Sequence, residues 1–175
     1  NDTDSDGMDD LFEVDNGLDP NADDAEADAD GDGRSNLDEY LEGKDPNADD
    51  VMPVVTAPAD VASGATGALT KVDLGEATAS DALDGDLTPM VDNPCPYAPG
   101  TYMLTWSATD AAGNMGMAMQ SVIISPQVSV TPKGRVAEGG DYMVKVTLNG
   151  PAPAYPVEIP VTLGGTAELD SDYTV

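Results

Sequence analysis

Apolar residues follow three different spacings along the chain. In residues 1–50 they are few and fall into two short helical groups: Leu11, Phe12 and Val14 ahead of Gly17, then Leu37, Tyr40 and Leu41 ahead of Gly43. Each group predicts one short helix with a single apolar face and a glycine stop, the second opened by Ser35 or Asn36 as N-cap. The stretch before Asp28, Pro20 to Ala27, carries no apolar stripe, so no helix is expected there. Beyond Met52 the period changes to two. Tyr102, Leu104, Trp106 and Ala108 share one face, with Thr101, Thr105 and Ser107 on the other, and a second strand is expected from about Met115 to Ser125. A third is expected around Thr70–Leu74. Met115, Met117 and Met119 alternate along the second strand and predict a packed sheet face, because methionine fills irregular gaps and no His or Cys accompanies them. In the last segment a first strand is expected over Gln127–Thr131. Tyr142, Val144, Val146 and Leu148, then Val157, Ile159, Val161 and Leu163, predict two half-buried antiparallel strands, with Pro160 marking an edge or a bulge.

Acidic residues supply the second pattern. DTDSDGMDDLFE, Asp2 to Glu13, returns 26 residues later as DADGDGRSNLDE, Asp28 to Glu39, and Asp2–Asp24 matches Asp28–Asp50 at 13 of 23 positions. Carboxylates at loop positions 1, 3 and 5, glycine at 6 and glutamate at 12 are the spacing of an EF-hand-type calcium loop. Calcium takes six to eight oxygens at roughly 2.3–2.6 Å, so a short loop must fold around a point. Asp2, Asp4 and Asp6 in one loop, and Asp28, Asp30 and Asp32 in the other, are the expected side-chain ligands. Gly7 and Gly33 allow the sharp turn. The carbonyls of Met8 and Arg34 at position 7 are the expected backbone ligands, Glu13 and Glu39 close the shell, and Asp10 is a further candidate. Without an ion, close carboxylate pairs repel by about 4 kcal/mol at an effective dielectric of 20, so metal-free loops are expected to lose their order. The competing reading is an acidic tail with chance spacing.

Tandem loops without entering helices, punctuated by G-x-D-P-N at Gly17–Asn21 and Gly43–Asn47, resemble bacterial thrombospondin type 3-like repeats over residues 1–50. The resemblance implies a metal-cored, rod-like spacer, with Asp19, Asn21, Asp45 and Asn47 adding ligands between loops.

Turn signals at Asp84-Gly85-Asp86, Pro99-Gly100 and Gly113-Asn114 divide the middle segment into short strands and suggest an immunoglobulin-like β-sandwich. PVVTAPADV at 53–61, ATASDALDGDLTP at 77–89 and PGTYMLTWSATDAAGN at 99–114 resemble a hyalin repeat (HYR) domain covering about 53–126. Such domains are adhesion-associated spacers. Their frequent cysteine pair has no counterpart, because Cys95 is the one cysteine of the chain; it is expected as an exposed loop thiol, with an intermolecular disulfide as the alternative. Asp81, Asp84 and Asp86 in one loop, with Asp110 and Asn114 in another, would gather a further calcium ion if both loops lie at one end of the sandwich. Turn chemistry accounts for the same residues by local bonding of backbone donors. VAEGGDYMVKVTLNGPAP followed by GGTAELDSDYTV resembles part of a Calx-β domain, over about 127–175. That resemblance implies a calcium-associated β-sandwich and places Glu138 and Asp172 at ligand positions. The expected fold class is therefore mainly β: calcium-loop repeats at 1–50, a sandwich at 53–126 and a partial second sandwich at 127–175.

Charge narrows the function classes. The chain has 175 residues and a net charge of −28, and 20 of its 34 acids lie in residues 1–50 beside two bases, Arg34 and Lys44. With no basic patch, nucleic acid and anionic membrane are poor partners, and no apolar run is long enough to span a bilayer. Histidine is absent and Cys95 has no partner base, so no residue set supports catalysis. The expectation is a calcium-binding structural or adhesive module, secreted or displayed on a bacterial surface, as a piece of a longer precursor. Extracellular sites of this kind are tuned to about 10⁻⁴–10⁻³ M calcium. Its expected partners are neighbouring domains or identical subunits. Two further readings stay open: a filament subunit completed by strand exchange, and the non-catalytic region of a secreted hydrolase.

Overall fold

A computed structural model describes residues 1–132, 144–152 and 157–159. The protein is mainly β, with two short helices among the described residues. The chain forms two units, one from Asn1–Ala59, Gly75–Asn93 and Leu104–Gln120, the other from Asp60–Leu74, Pro94–Met103 and the described part of Ser121–Val175. Among the described residues no helix is long and apolar enough to cross a membrane.

The helices lie where the acidic repeats place them. Helix α1 spans Asp10–Asn16 and α2 spans Asn36–Glu42, each ended by a glycine in the left-handed region, Gly17 and Gly43. The residue after each glycine reaches back to the carbonyl of the loop glutamate: Leu18 N–H to Glu13 at 2.8 Å, Lys44 N–H to Glu39 at 2.9 Å. These bonds satisfy carbonyls the helix end leaves unpaired. Ser35 caps α2, its side chain accepting from the Asp38 amide. Asp9 stands at the same place before α1 but makes no cap. Its carboxylate instead takes the Tyr40 hydroxyl at 2.8 Å and the N-terminal amine at 3.0 Å. Phe12 and Tyr40 complete the joint between copies, with ring centroids 4.8 Å apart. The single apolar face expected of each helix forms only in part: Phe12, Leu37 and Tyr40 are half-buried, Leu11, Val14 and Leu41 are exposed, and the glutamates Glu13 and Glu39 are buried. Two seven-residue helices are too short to hold an apolar core between them, and their inward positions go to carboxylates.

Strands β1 (Val54–Thr56), β3 (Thr78–Asp81) and β4 (Gly85–Leu87) form an antiparallel sheet in the order β1-β3-β4. A second sheet has the order β2-β7-β6-β5, with β2 (Val61–Gly64) parallel to β7 (Met115–Ser125), and β5 (Met90–Val91) antiparallel to β6 (Gly100–Thr109). The two long strands match their expected limits closely. In the first unit Leu104, Trp106, Ala108 and Ala79 are buried. Full burial of a side chain such as Leu104 contributes about 1.5–3 kcal/mol. The Trp106 Nε1–H donates to Gln120 Oε1 at 3.0 Å, and Gln120 Nε2 donates to the Ala59 carbonyl at 2.7 Å. A buried amide is thus satisfied on both sides.

Three sequence expectations require correction here. Residues 70–74 form no strand; Thr70 makes an isolated two-bond bridge to Tyr97. The methionine face of β7 is not packed: Met117 and Met119 are 64% and 63% exposed, and the opposite face carries Gly116, Gln120, Val122 and Ile124 inward. Period-two alternation identifies two faces but not which one is covered when both carry apolar residues. Cys95 is half-buried rather than exposed.

In the second unit, Val122, Ile124 and Tyr97 are buried, and Tyr97 stacks on Tyr102 with centroids 4.9 Å apart. β8 (Val128–Pro132) and β9 (Val144–Leu148) form an antiparallel pair. Val128, Val130, Val144 and Val146 are exposed, so β9 is not the half-buried strand its alternation predicts. Residues 157–159 carry no strand assignment, and the rest of the strand expected over Val157–Leu163 lies outside the described residues, as does Tyr142.

Gly116 is where β1 and β7 approach closely. A Cβ there would run into the Pro53 carbonyl oxygen and lie 3.2 Å from Val55 Cγ2. Because the obstacle is backbone, little can give way. Gly116→Ala is expected to destabilise the protein by about 1–3 kcal/mol or more, read as a lowered midpoint in thermal unfolding followed by Trp106 fluorescence; an unchanged midpoint would contradict the close approach.

Candidate metal centres

The acidic loops turn as their spacing requires. Asp2 accepts the Ser5 amide at 2.7 Å and the Gly7 amide at 3.3 Å; Asp28 accepts those of Gly31 and Gly33 at 2.7 and 3.0 Å. Gly7 and Gly33 sit at φ 104° and 97°, a conformation that a Cβ disfavours. At positions 3 and 5, Asp4 and Asp30 accept the amide two residues on, Asp6 accepts that of Met8, and Asp32 accepts that of Arg34 on one oxygen and that of Asp50 on the other, at 3.3 Å. Asp4, Asp6 and Asp30 keep their second oxygen, Oδ2, buried with no hydrogen-bond partner.

These turns bring carboxylates together. Oxygens of Asp2, Asp4 and Asp6 lie within 4.8 Å of one another, as do those of Asp28, Asp30 and Asp32. A second group in each copy shares the position-5 aspartate: Asp6 with Glu13 and Asp24, and Asp32 with Glu39 and Asp50, within the same 4.8 Å. Glu13 and Glu39 are 0% exposed, and neither oxygen of either has a partner. Burial, followed by the charges of Asp4, Asp6 and Asp24, pushes Glu13 up to about 7; burial and then Asp30, Asp32 and Asp50 do the same to Glu39. Burial also raises Asp4 and Asp30. Orphaned, buried, mutually repelling oxygens from Asp4, Asp6, Glu13 and Asp24 in one copy, and from Asp30, Glu39 and Asp50 in the other, are a donor set for a cation. The clusters could hold a metal ion, and an all-oxygen set without nitrogen or sulfur selects a hard one.

Asp24 and Asp50 are ligand candidates that reading the loops alone misses. A signal was present: both are identical in the two copies, at the end of the DPNADD tail. The residues expected to add ligands there, Asp19, Asn21, Asp45 and Asn47, make hydrogen bonds that shape the tail. Asp19 and Asp45 accept the amides of Asn21 and Asn47, and Asn47 Nδ2 donates to the Asn16 carbonyl at 2.8 Å. The Asp19 amide in turn donates to Asp24 Oδ2 at 3.2 Å, leaving Asp24 Oδ1 bare. Asp10 stands outside the clusters and accepts from Thr3 and Asn1, bonds that hold it below the usual carboxylate range. Its counterpart Asn36 does the same stitching in the second copy, accepting the Ala29 amide and donating to the Asp24 carbonyl.

A fifth group joins Asp49, Asp84 and Asp110 within 4.8 Å. Of the residues expected near it, Asp81 places a buried, unpartnered Oδ2, Asn114 donates from Nδ2 to the Asp49 carbonyl at 3.0 Å, and Asp86 is exposed on β4. Glu138 and Asp172 lie outside the described residues.

The raised glutamates set a pH dependence. A carboxyl whose folded value exceeds its unfolded one stabilises the fold below about 4.5, and that stability is lost as pH rises through about 7. Groups held low, such as Asp9 and Asp10, titrate below this window. In chelator the unfolding midpoint is therefore expected to fall between pH 4.5 and 7.5. A midpoint that rises across that interval would show that Glu13 and Glu39 are not buried together with other acids.

Comparison with known proteins assigns no family to this arrangement: no protein-family model and no curated protein matches the chain.

Proposed function

We propose that the protein is a calcium-binding structural module, a spacer that calcium stiffens, working outside the cell or on a bacterial surface as part of a secreted or displayed multidomain protein. The observation that carries this reading is the pair of fully buried glutamates, Glu13 and Glu39, whose four oxygens have no partner and sit beside further carboxylates. Calcium fits better than magnesium, because magnesium demands near-octahedral geometry and keeps several waters, whereas calcium accepts a crowded carboxylate cage. Asp2, Asp4, Asp6, Glu13 and Asp24 would hold one ion; Asp28, Asp30, Asp32, Glu39 and Asp50 would hold its counterpart. Neutralising such a cage removes the repulsion that opposes folding. At calcium ten times the dissociation constant each site contributes about 1.4 kcal/mol. Repeats of this size with little apolar burial need such a cross-link. The excess of acid over base, 34 to 6, suits a role in ion-rich surroundings and disfavours nucleic acid.

No catalytic role is proposed: the chain has no histidine, and its clustered acids suit a metal site. A second reading, assembly of identical chains by strand exchange, is favoured by the exposed valines of β8 and β9, whose two-stranded sheet leaves an outer edge on each strand among the described residues. Sedimentation that stays monomeric at high concentration would remove it.

Calorimetric calcium titration tests the main reading. The unaltered chain should bind calcium with a matching rise in unfolding temperature. Asp24→Asn and Glu39→Gln should each weaken one site roughly tenfold or more, equivalent to about 1.4 kcal/mol. No heat at millimolar calcium, or a melting profile indifferent to chelator, would refute it.

A further inference from the structure

The carboxylates of Asp49, Asp84 and Asp110 come from three separate places: the end of the second acidic repeat, the β3–β4 turn and the β6–β7 turn. Nothing in the repeat requires them to meet, yet the polypeptide is built to hold them. Asp49 Oδ1 accepts the Val51 amide at 3.1 Å, Asp81 Oδ1 accepts the amides of Leu83 and Asp84, and Asp110 Oδ1 accepts those of Gly113 and Asn114. Asp84 Oδ2 accepts the Ala111 amide, tying the two turns together. Asp110 is 8% exposed, and Oδ2 of Asp49, Asp81 and Asp110 is in each case buried and without a hydrogen-bond partner. This is the signature of Asp4, Asp6 and Asp30 in the loops: one oxygen bonded to backbone, the other bare and facing fellow acids.

The surroundings bring the same segments together. Gly31 and Gly33 of the second loop lie against Leu83 and Ala82, such that an added Cβ would sit 3.4 and 3.5 Å away. Asn114 Nδ2 holds the Asp49 carbonyl. Each of these contacts is small, and none compensates three or four converging carboxylates. The missing compensation is positive charge, and among the described residues no Lys or Arg is ion-paired with any of the four.

The geometry points to a further divalent-cation site, formed by Asp49, Asp84 and Asp110 with Asp81, that fastens the acidic repeats to the β-sheet turns. The ligand class is a hard cation, for the same donor chemistry as in the loops. The inference rests on the proposed function only for the identity of that ion as calcium. Consecutive residues serve two sites: Asp50 belongs to the Glu39 cluster and Asp49 to this one. The ion would therefore act as a joint rather than as part of a repeat.

Calcium titration of the full chain by calorimetry, beside Asp84→Asn and Asp49→Asn, tests the site. Asparagine keeps an acceptor for the backbone amide while removing charge, and two variants guard against misfolding of either. Each should bind one ion fewer than the unaltered protein and lose at least half of the calcium-induced rise in the Trp106 unfolding midpoint. Unchanged stoichiometry and unchanged midpoint shift in both would overturn the joint while leaving the repeat sites intact. Glu13→Gln with Glu39→Gln separates the two ideas: if this pair alone removes all bound calcium, the joint fails. If the ion lost in Asp84→Asn is instead the one ion the unaltered chain binds, the joint stands and the repeat reading fails.

Discussion

Carboxylate oxygens that are buried, close together and unbonded are the constraint on which the acidic segment of this structure depends. Burying an ionised acid without a partner costs several kcal/mol, and the repeats bury Glu13 and Glu39 completely. Proteins meet that cost by protonation or by a counter-ion. Burial and neighbouring acids raise both glutamates to about 7, which favours the first in acid. A cation does the same at neutral pH for all members of a cluster at once. The backbone is arranged around this choice: amides take one oxygen of Asp4, Asp6, Asp30 and Asp110 and leave the other free.

The β-sheets follow a different economy. Leu104, Trp106, Ala108, Val122 and Ile124 are shielded from water in the ordinary way, and the buried polar pair Trp106–Gln120 is fully bonded. Stability there comes from apolar area and close approach, Gly116 against Pro53 being the tightest instance. One chain thus combines a segment organised by charge with segments organised by the exclusion of water. The divide falls close to Asp50, where the composition changes.

Much of this was legible in the residues. Loop limits, both helices, their glycine stops and the two long strands follow from spacing alone, because each depends on neighbours a few positions apart. The features that escaped are those set by distant partners. Asp24 and Asp50 return to their loops through turns made by Asp19 and Asp45, so their role lies in a fold-back rather than in a local period. The exposed methionines of β7 escaped because alternation cannot tell which face a second sheet covers. Asp49 escaped because its companions Asp84 and Asp110 lie tens of residues away. The supposed strand at 70–74 was an overreading of β-prone residues that find one bridge and no ladder.

The unequal treatment of Asp9 and Ser35 has a consequence for how such units are strung together. Ser35 serves its own helix, whereas Asp9 leaves its helix uncapped to grip Tyr40 of the following copy. The two beads are therefore not interchangeable: reversing their order would leave the phenol without its acceptor and put a serine where the clasp must be. Orientation along the strand is written into a single hydroxyl.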